Sequence, residues 1–487
     1  MEALDWLVIG VFFLALIGII VWVVRQKQND SADYFLGGRD ATWLAIGASI
    51  FASNIGSEHL IGLAGAGASS GMAMAHWEIQ GWMILILGWV FVPFYTRSMV
   101  YTMPEFLERR YNPQSRTILS VISLVSYVLT KVAVTVYAGG LVFQQVFGIK
   151  ELWGIDFFWI AAIGLVVLTA LYTIFGGMKS VLYTSVLQTP ILLLGSLIIL
   201  VLGFKELGGW DEMMRVCGAV TVNDYGDTMT NLIRSNDDAN FPWLGALIGS
   251  AIIGFWYWCT DQFIVQRVLS GKNEMEARRG TIFGAYLKLL PVFLFLIPGM
   301  IAFALHQKYI GAGGEGFLPM LANGTANADA AFPTLVAKLL PAGVKGLVVC
   351  GILAALMSSL ASLFNSSAML FTIDFYKRFR PETPEKKLVG IGQIATVVIV
   401  ILGILWIPIM RSVGDVLYTY LQDVQSVLAP GIAAAFLLGI CWKRTSAQGG
   451  MWGLIAGMVI GLTRLGAKVY YSNAGDVAGG TFKYLFY

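Results

Sequence analysis

Apolar residues fall along this chain in repeated runs of about 20 or more, separated by short polar loops, and runs of that length predict helices that span a membrane. Twelve spans follow, at 4–24, 43–66, 74–96, 116–147, 156–175, 180–203, 242–266, 280–304, 331–372, 389–410, 417–441 and 448–467. Spans 116–147 and 331–372 are long, and are expected to tilt or to project beyond the bilayer. Composition agrees: of 487 residues 57% are hydrophobic and 13% charged, where a soluble chain carries about 25% charged residues. The mean hydropathy is +0.73. The first run, Leu4 to Val24, follows an acidic flank and has no small-residue cleavage site after it, so it reads as a retained helix. An all-α polytopic membrane protein is the expected fold class.

Two spans are interrupted by polar residues at lipid depth. The stretch Phe51-Ala-Ser-Asn-Ile-Gly-Ser-Glu-His59 places two serines, an asparagine, a glycine, a glutamate and a histidine at positions 53–59. A helix end capped by Ser53 or Asn54 is the bland reading. Apolar sequence continues on both sides, which favours a helix broken near the midplane and lining a site. Gly254-Phe-Trp-Tyr-Trp-Cys-Thr-Asp-Gln262 interrupts the seventh span in the same way. Each broken span opens a set of five, and paired breaks at corresponding positions point to a secondary transporter built from inverted repeats.

Loop charge sets an expected orientation. Arg25, Lys27 and Arg39, then Arg97, Arg109, Arg110 and Arg116, then Lys179, Lys272, Arg278 and Arg279, then Lys377, Arg378, Arg380, Lys386 and Lys387, and last Lys443 and Arg444 mark every second loop as basic. Those loops are expected in the cytoplasm, with the N-terminus outside. The loop from Lys205 to Asn240 holds three basic and seven acidic residues, net −4, and falls on the opposite side. The loop at 306–330, rich in glycine and alanine, reads as a solvent-exposed hairpin. The tail from Tyr470 to Tyr487 begins a further apolar segment and stops, so more helices are expected beyond it. Cys217, Cys259, Cys350 and Cys441 have no metal-like spacing and imply no disulfide framework. A net charge of +3 with its basic residues in loops gives nucleic-acid binding no support, and no activated nucleophile or cofactor motif supports an enzyme.

Further polar groups lie at membrane depth: Glu78 in the third span, Lys288 in the eighth, Gln422 and Gln425 in the eleventh. A lone charge there costs at least about 2.5 kcal/mol even on lenient insertion scales. Glu78 and Lys288 therefore either staple two helices as a buried pair or, with Asn54, Gln422 and His59, line a polar cavity. That mixture of donors and acceptors suits an uncharged polyhydroxylated ligand, since each hydroxyl both donates and accepts. Trp77, Trp256, Tyr257 and Trp258 lie beside these positions. For a single tryptophan, packing is the plainer reading, while Tyr257 is placed to gate the ligand. In the ninth span Ser358, Ser359 and the carbonyl of Ala355, with unwound carbonyls near Ala52 and Ile55, offer five neutral oxygens. Such a set suits an exchangeable Na⁺ better than Ca²⁺ or Mg²⁺.

Together, Ser53-Asn-Ile-Gly-Ser-Glu-His59, Trp258-Cys-Thr-Asp-Gln262 with Gln266-Arg267, Tyr286-Leu-Lys-Leu289, Met357-Ser-Ser-Leu360 with Phe364-Asn-Ser366, and Trp442-Lys-Arg444 give the chain its likeness. It resembles the sodium/glucose cotransporters, a group of the solute:sodium symporters, from about residue 30 onward. The resemblance implies the LeuT-type fold, a five-plus-five inverted repeat with one helix ahead and extra helices after. The expected division is 1–42, a first helix and loop; 43–204, the first repeat; 205–241, an extracellular loop; 242–441, the second repeat; and 442–487, a C-terminal helix and tail. Carried over by position, the sugar contacts are Asn54, His59, Glu78, Lys288 and Gln422, with Tyr257 as inner gate and Leu63 and Trp77 closing from outside. The Na⁺ ligands are Ala52, Ile55, Ala355, Ser358 and Ser359. Two departures matter. Gly254 stands where members place a threonine or asparagine near the sugar. Ser185 stands for an aspartate that several members use near a second sodium, which favours one Na⁺ per cycle.

The reading that follows is a Na⁺-driven hexose symporter of the plasma membrane, most simply a bacterial inner membrane. Rivals are the same machine for myo-inositol, a sialic acid or an amino acid such as proline, and a non-transporting sugar sensor. A channel would show a filter-like or charged-ring repeat, and none is present.

Overall fold

The computed structural model describes residues 1–473, leaving aside Lys27, Ser57, Ala239, Ala322, Asn323 and 414–416. Side chains are described except those of Leu129, Gln145, 409–413, 417–423 and 468–473. Ten helical stretches among these residues are long and apolar enough to cross a membrane. Phe157–Leu207 carries two of the expected passes, and the expected span 43–66 is divided between Trp43–Asn54, too short to be one of the ten, and the start of Glu58–Ser98. Phe157–Leu207 is 51 residues of helix, about 75 Å if straight and more than twice a hydrocarbon core. It is divided at Gly177, where φ +54 and ψ −148 leave the helical region. A Cβ there would also lie 2.4 Å from the Tyr34 carbonyl oxygen. Glu58–Ser98 is likewise one stretch, turned at Gly71. The expected span 331–372 needs correction. It is two elements, Ala331–Leu339 and Val344–Met369, separated where Leu340 is extended and Pro341 and Gly343 follow.

Burial grades from rim to centre. Ala3–Val24 is the most apolar stretch, yet only Asp5, Ile9, Phe12, Leu16 and Val23 are buried against the bundle, which leaves most of its apolar side chains on the outer surface. Val344–Phe379 is less apolar and far more buried. Its small residues Gly351, Ala354, Ala355, Ser358, Ala361 and Ser362 let neighbours approach closely. This helix packs on both halves of Phe157–Leu207 and on Trp43–Asn54.

Both expected breaks are present. Trp43–Asn54 stops at Ile55, which is extended (φ −78, ψ 103), and helix resumes as the π-helical turn Glu58–Leu63. Trp243–Gly254 runs into the π-helical Phe255–Thr260 and stops at Asp261 (φ −74, ψ 128), whose side chain caps Gln262–Leu269 by accepting from the Phe263 amide. Each break leaves backbone groups without helical partners, and at membrane depth these need other polar partners.

The basic loops meet one another at one end of the bundle. Arg39 donates to the carbonyls of Met99 and Val100, Arg110 to those of Gly439, Trp442 and Thr445, and Arg116 pairs with Asp374 and Glu108. At the other end, the Lys205–Asn240 segment forms the helix Trp210–Gly218 and docks on the turn before Trp77 through Met72 N–H to Met229 O. The 306–330 loop is more anchored than a solvent-exposed hairpin. Phe317 and Leu318 are buried, the Leu318 amide donates to His306 Nδ1, and only an isolated bridge pairs Met320 with Ala326. The last described helix is Ala447–Asn473; the rest of the expected tail segment lies outside the described residues.

Candidate functional site

The two breaks face each other across one polar cavity. It is lined by Asn54, Glu58 and His59 from the first break, Trp77, Glu78 and Gln80 from the next helix, Tyr257 and Trp258 from the second break, and Lys288 and Gln425. Lys288 follows the last turn of Glu274–Leu287, just before Pro291 interrupts the helix, so its backbone lies at a loosened junction. Its ammonium lies 2.6 Å from Glu78 Oε2 and 2.9 Å from His59 Nε2, while His59 Nε2 is 3.2 Å from Glu78 Oε1. All three side chains are buried, and the Trp258 ring lies 5.6 Å from the Lys288 ammonium. The carboxylate and ammonium balance each other.

Around this pair the polar accounting is incomplete. Asn54 Nδ2 donates to Tyr257 OH at 3.1 Å, but Asn54 Oδ1, His59 Nδ1 and Gln80 Oε1 are buried with no hydrogen-bond partner among the described residues. Buried polar atoms in native folds are almost always paired, so three orphans around one cavity call for partners inside it, water or a ligand's polar groups. The cavity holds about 40 Å³ accessible to water, room for a few waters. A larger ligand requires these side chains to move apart.

Gln80 was not singled out by the sequence, and Gly254 explains its place. A Cβ at 254 would stand 2.9 Å from Gln80 Oε1 and 3.2 Å from its Cβ. The glycine leaves the space that the Gln80 amide fills. A side chain from the neighbouring helix thus occupies the place beside 254. Gln422 lies outside the described side chains; Gln425, one turn further along the helix Leu417–Cys441, reaches the cavity. Trp77 lines the cavity, whereas Leu63 is fully buried and does not.

The candidate ion ligands converge just behind the first break. Ser359 Oγ donates to the carbonyl of Ser53 at 2.7 Å and approaches that of Ile55 at 3.4 Å. Ser358 Oγ lies 3.5 Å from Ser53 Oγ and 3.3 Å from Ser185 Oγ. Ala52 and Ala355 are buried on the two helices that carry these groups. The set is neutral and made of oxygen, which fits a monovalent cation. The Ser53 carbonyl, which sequence reasoning did not name, lies against the same Ser359 hydroxyl. Beside the serines lies Arg267, 1% exposed, whose Nε donates to Ser49 and Ser53 Oγ at 3.1 Å and whose Nη2 donates to Ser53 Oγ at 2.8 Å.

A second, smaller cavity of about 20 Å³ adjoins the first. Ser53, Ser359, Lys131 and Thr135 line it, and Glu58, Tyr257 and Gln425 line both. Glu58, without a partner in the sequence reading, thus stands between the two. The Tyr257 ring sits at the same divide.

Residues 34–457 match the model of the sodium:solute symporter family. The chain is 38% identical over 479 residues to the Homo sapiens sodium/myo-inositol cotransporter 2, covering 96% of this chain and 70% of that protein. It is 37% identical over 490 residues to the Danio rerio sodium/glucose cotransporter 4, covering 97% and 73%. Among solved structures, a substrate-bound, outward-open Na⁺-coupled sialic acid symporter superposes with a TM-score of 0.78 at 22% identity, over 95% of this chain and 98% of that one. MhsT in complex with L-phenylalanine gives 0.53 at 13%, over 87% and 98%. These two likenesses are of fold, and they bear out the expected all-α, LeuT-type class. With its family match and both cotransporter relatives spanning most of its length, the chain belongs to the sodium:solute symporter family, and is a Na⁺-coupled solute symporter of the membrane rather than an enzyme.

Proposed function

We propose that this symporter takes up an uncharged ring polyol, a hexose such as glucose or galactose in first place and myo-inositol in second. The observation that carries the proposal is the set of three unpartnered polar atoms, Asn54 Oδ1, His59 Nδ1 and Gln80 Oε1, around a charge-balanced Glu78–Lys288 pair. Ring hydroxyls supply the missing partners, and the faces of Trp77 and Trp258 suit the apolar C–H surface of such a ring. A carboxylated solute such as a sialic acid or an amino acid needs a spare cation, and Lys288 is already engaged. Myo-inositol stands second on the name of the human relative, and it offers the same kind of hydroxyl array.

In this proposal Asn54, His59, Glu78 and Lys288 hold the substrate, with Gln422 as a further contact carried over by position. Tyr257 is the inner gate, and Trp77 and Leu63 close from outside. Ala52, Ile55, Ala355, Ser358 and Ser359 bind one Na⁺. The ion draws the first break against the serine helix and so completes the substrate wall formed by Asn54 and His59. Coupling is then the difference in affinity between outward-open and inward-open states. Segments 43–204 and 242–441 form the two inverted repeats, and the basic loops face the cytoplasm. Ser185 is a hydroxyl bonded to the Val181 carbonyl at 2.6 Å, which supports one Na⁺ per cycle.

Equilibrium displacement of labelled galactose from the purified protein in Na⁺ tests the substrate class. Glucose or myo-inositol is expected to compete, and sialic acid and proline are not. Displacement by proline or sialic acid alone overturns the proposal.

A further inference from the structure

Beside the substrate cavity a second fully buried ion pair has no part in the functions above. Lys131 and Asp261 lie 2.7 Å apart with 9% and 2% of their side chains exposed. Asp261 is the extended residue of the second break, and Lys131 sits in the π-helical turn Tyr127–Val132 of the 113–147 helix. Tyr127, one turn before Lys131, donates its hydroxyl to Asp261 Oδ1 and accepts from the Phe263 amide at 3.0 Å. A π-helical turn is rare and redirects side chains; here it aims both at the same break.

The ammonium is boxed by rings. It lies 4.7 Å from the centroid of Tyr257, 4.9 Å from Phe263, 5.0 Å from Tyr127 and 5.6 Å from Trp256. It also lines the water-sized cavity that separates Tyr257 from Ser53 and Ser359, with Glu58 across that cavity. A buried ion pair alone is weak evidence of stabilisation, since desolvation offsets much of the attraction. The ring box adds a consequence of its own. When the Tyr257 ring swings away, a desolvated cation loses one of its four faces, and such a contact is strongest where water is excluded.

We propose that Lys131 is a positioning residue for the Tyr257 gate, holding the ring shut across the cavity adjoining the substrate, with Asp261 and Tyr127 fixing the ammonium in place. This rests on the reading of Tyr257 as inner gate. Substrate release requires the ring to leave the ammonium, so Lys131 sets how often the gate opens without Na⁺ and substrate.

The test uses the full chain in proteoliposomes. Removing one charge of a buried pair endangers folding, so the variant is K131Q/D261N, which removes both charges and keeps an acceptor for the Phe263 amide. Two quantities are read: the Na⁺-independent flux of labelled galactose as a fraction of the Na⁺-driven flux, and the rate at which Thr135→Cys, in the small cavity, reacts with a membrane-impermeant thiol reagent in a Cys441→Ser background. Both are expected to rise about tenfold, the factor that the loss of one ring contact gives. Half-saturation by substrate stays near that of the parent. A role in folding alone would lower the yield of protein and leave both ratios unmoved; that result overturns the proposal. If the double variant does not fold, Tyr127→Phe decides, with a smaller rise expected and unchanged labelling overturning the idea. If the parent shows no Na⁺-driven uptake, the substrate reading fails, and the labelling rate judges Lys131 by itself.

Discussion

Glu78 and Lys288 show how one contact serves stability and recognition together. Both are buried and 2.6 Å apart, so E78Q alone leaves an unpaired cation and costs about 3–5 kcal/mol. The double change E78Q/K288Q removes both charges and is expected to recover most of that stability while losing substrate binding. Thermal unfolding read beside galactose affinity separates the two effects. A double variant that binds substrate like the parent reduces the pair to a staple. Gly254→Ala tests the space given to Gln80. The nearest atom is the end of the flexible Gln80 side chain, while Gln80 Cβ and Met83 Cγ at 3.2 Å must give slightly, so a small loss of stability is expected while half-saturation by substrate rises about tenfold, as loss of one buried hydrogen bond to a ligand gives. Unchanged half-saturation removes Gln80 from the site.

At the scale of elements, the breaks matter more than the spans. Ser359 on the long serine helix donates to the Ser53 carbonyl and approaches that of Ile55 on the broken one. Ser359→Ala is expected to raise half-saturation by Na⁺ about tenfold or more, the range for a lost contact to a charged group. Uptake measured against Na⁺ concentration checks it, and an unshifted curve removes Ser359 from the ion site. A turn outside the ten apolar stretches carries a pH effect. Asp329, in the turn Ala328–Ala330, lies against Gly65 of the helix that follows the first break, and burial pushes its carboxyl up to about 6. An unfolded aspartate titrates near 3.9. Between these values the folded chain holds the extra proton, so stability falls as pH rises from about 4 to 6 and stays low above that. Asp329→Asn is therefore expected to stabilise the protein at pH 7.5, by on the order of 2 kcal/mol, with the gain vanishing near pH 4. Thermal inactivation of both forms at the two pH values reads it, and an equal gain at both contradicts it.

Hydropathy made the apolar spans legible across the whole molecule because each must match the bilayer. The two breaks stood out for the same reason, polar residues being costly there. The division of 331–372 was less visible: Pro341 and Gly343 sit between two apolar helices, and apolar content does not register a turn. Within the site, Asn54, His59, Glu78 and Lys288 were legible as charges and amides in apolar runs. Gln80 was not, since its place depends on the absence of a side chain at Gly254 on a helix far away in sequence. Lys131 was missed because it lies inside one long span whose partner, Asp261, belongs to another. Ser185, by contrast, bears on a property of the whole cycle. The ratio of charge moved to substrate moved, measured from the voltage that nulls uptake, is expected to be one Na⁺ per substrate, and a ratio of two contradicts the single-site reading.

The most direct measurement of the central claim is uptake of labelled galactose, glucose and myo-inositol into proteoliposomes with and without an imposed inward Na⁺ gradient. At least one of these polyols is predicted to accumulate above its external concentration when the gradient is present, and only to equilibrate when it is absent. Equal accumulation in both conditions, or none of the three taken up while a charged solute is, would contradict Na⁺-driven uptake of an uncharged polyol.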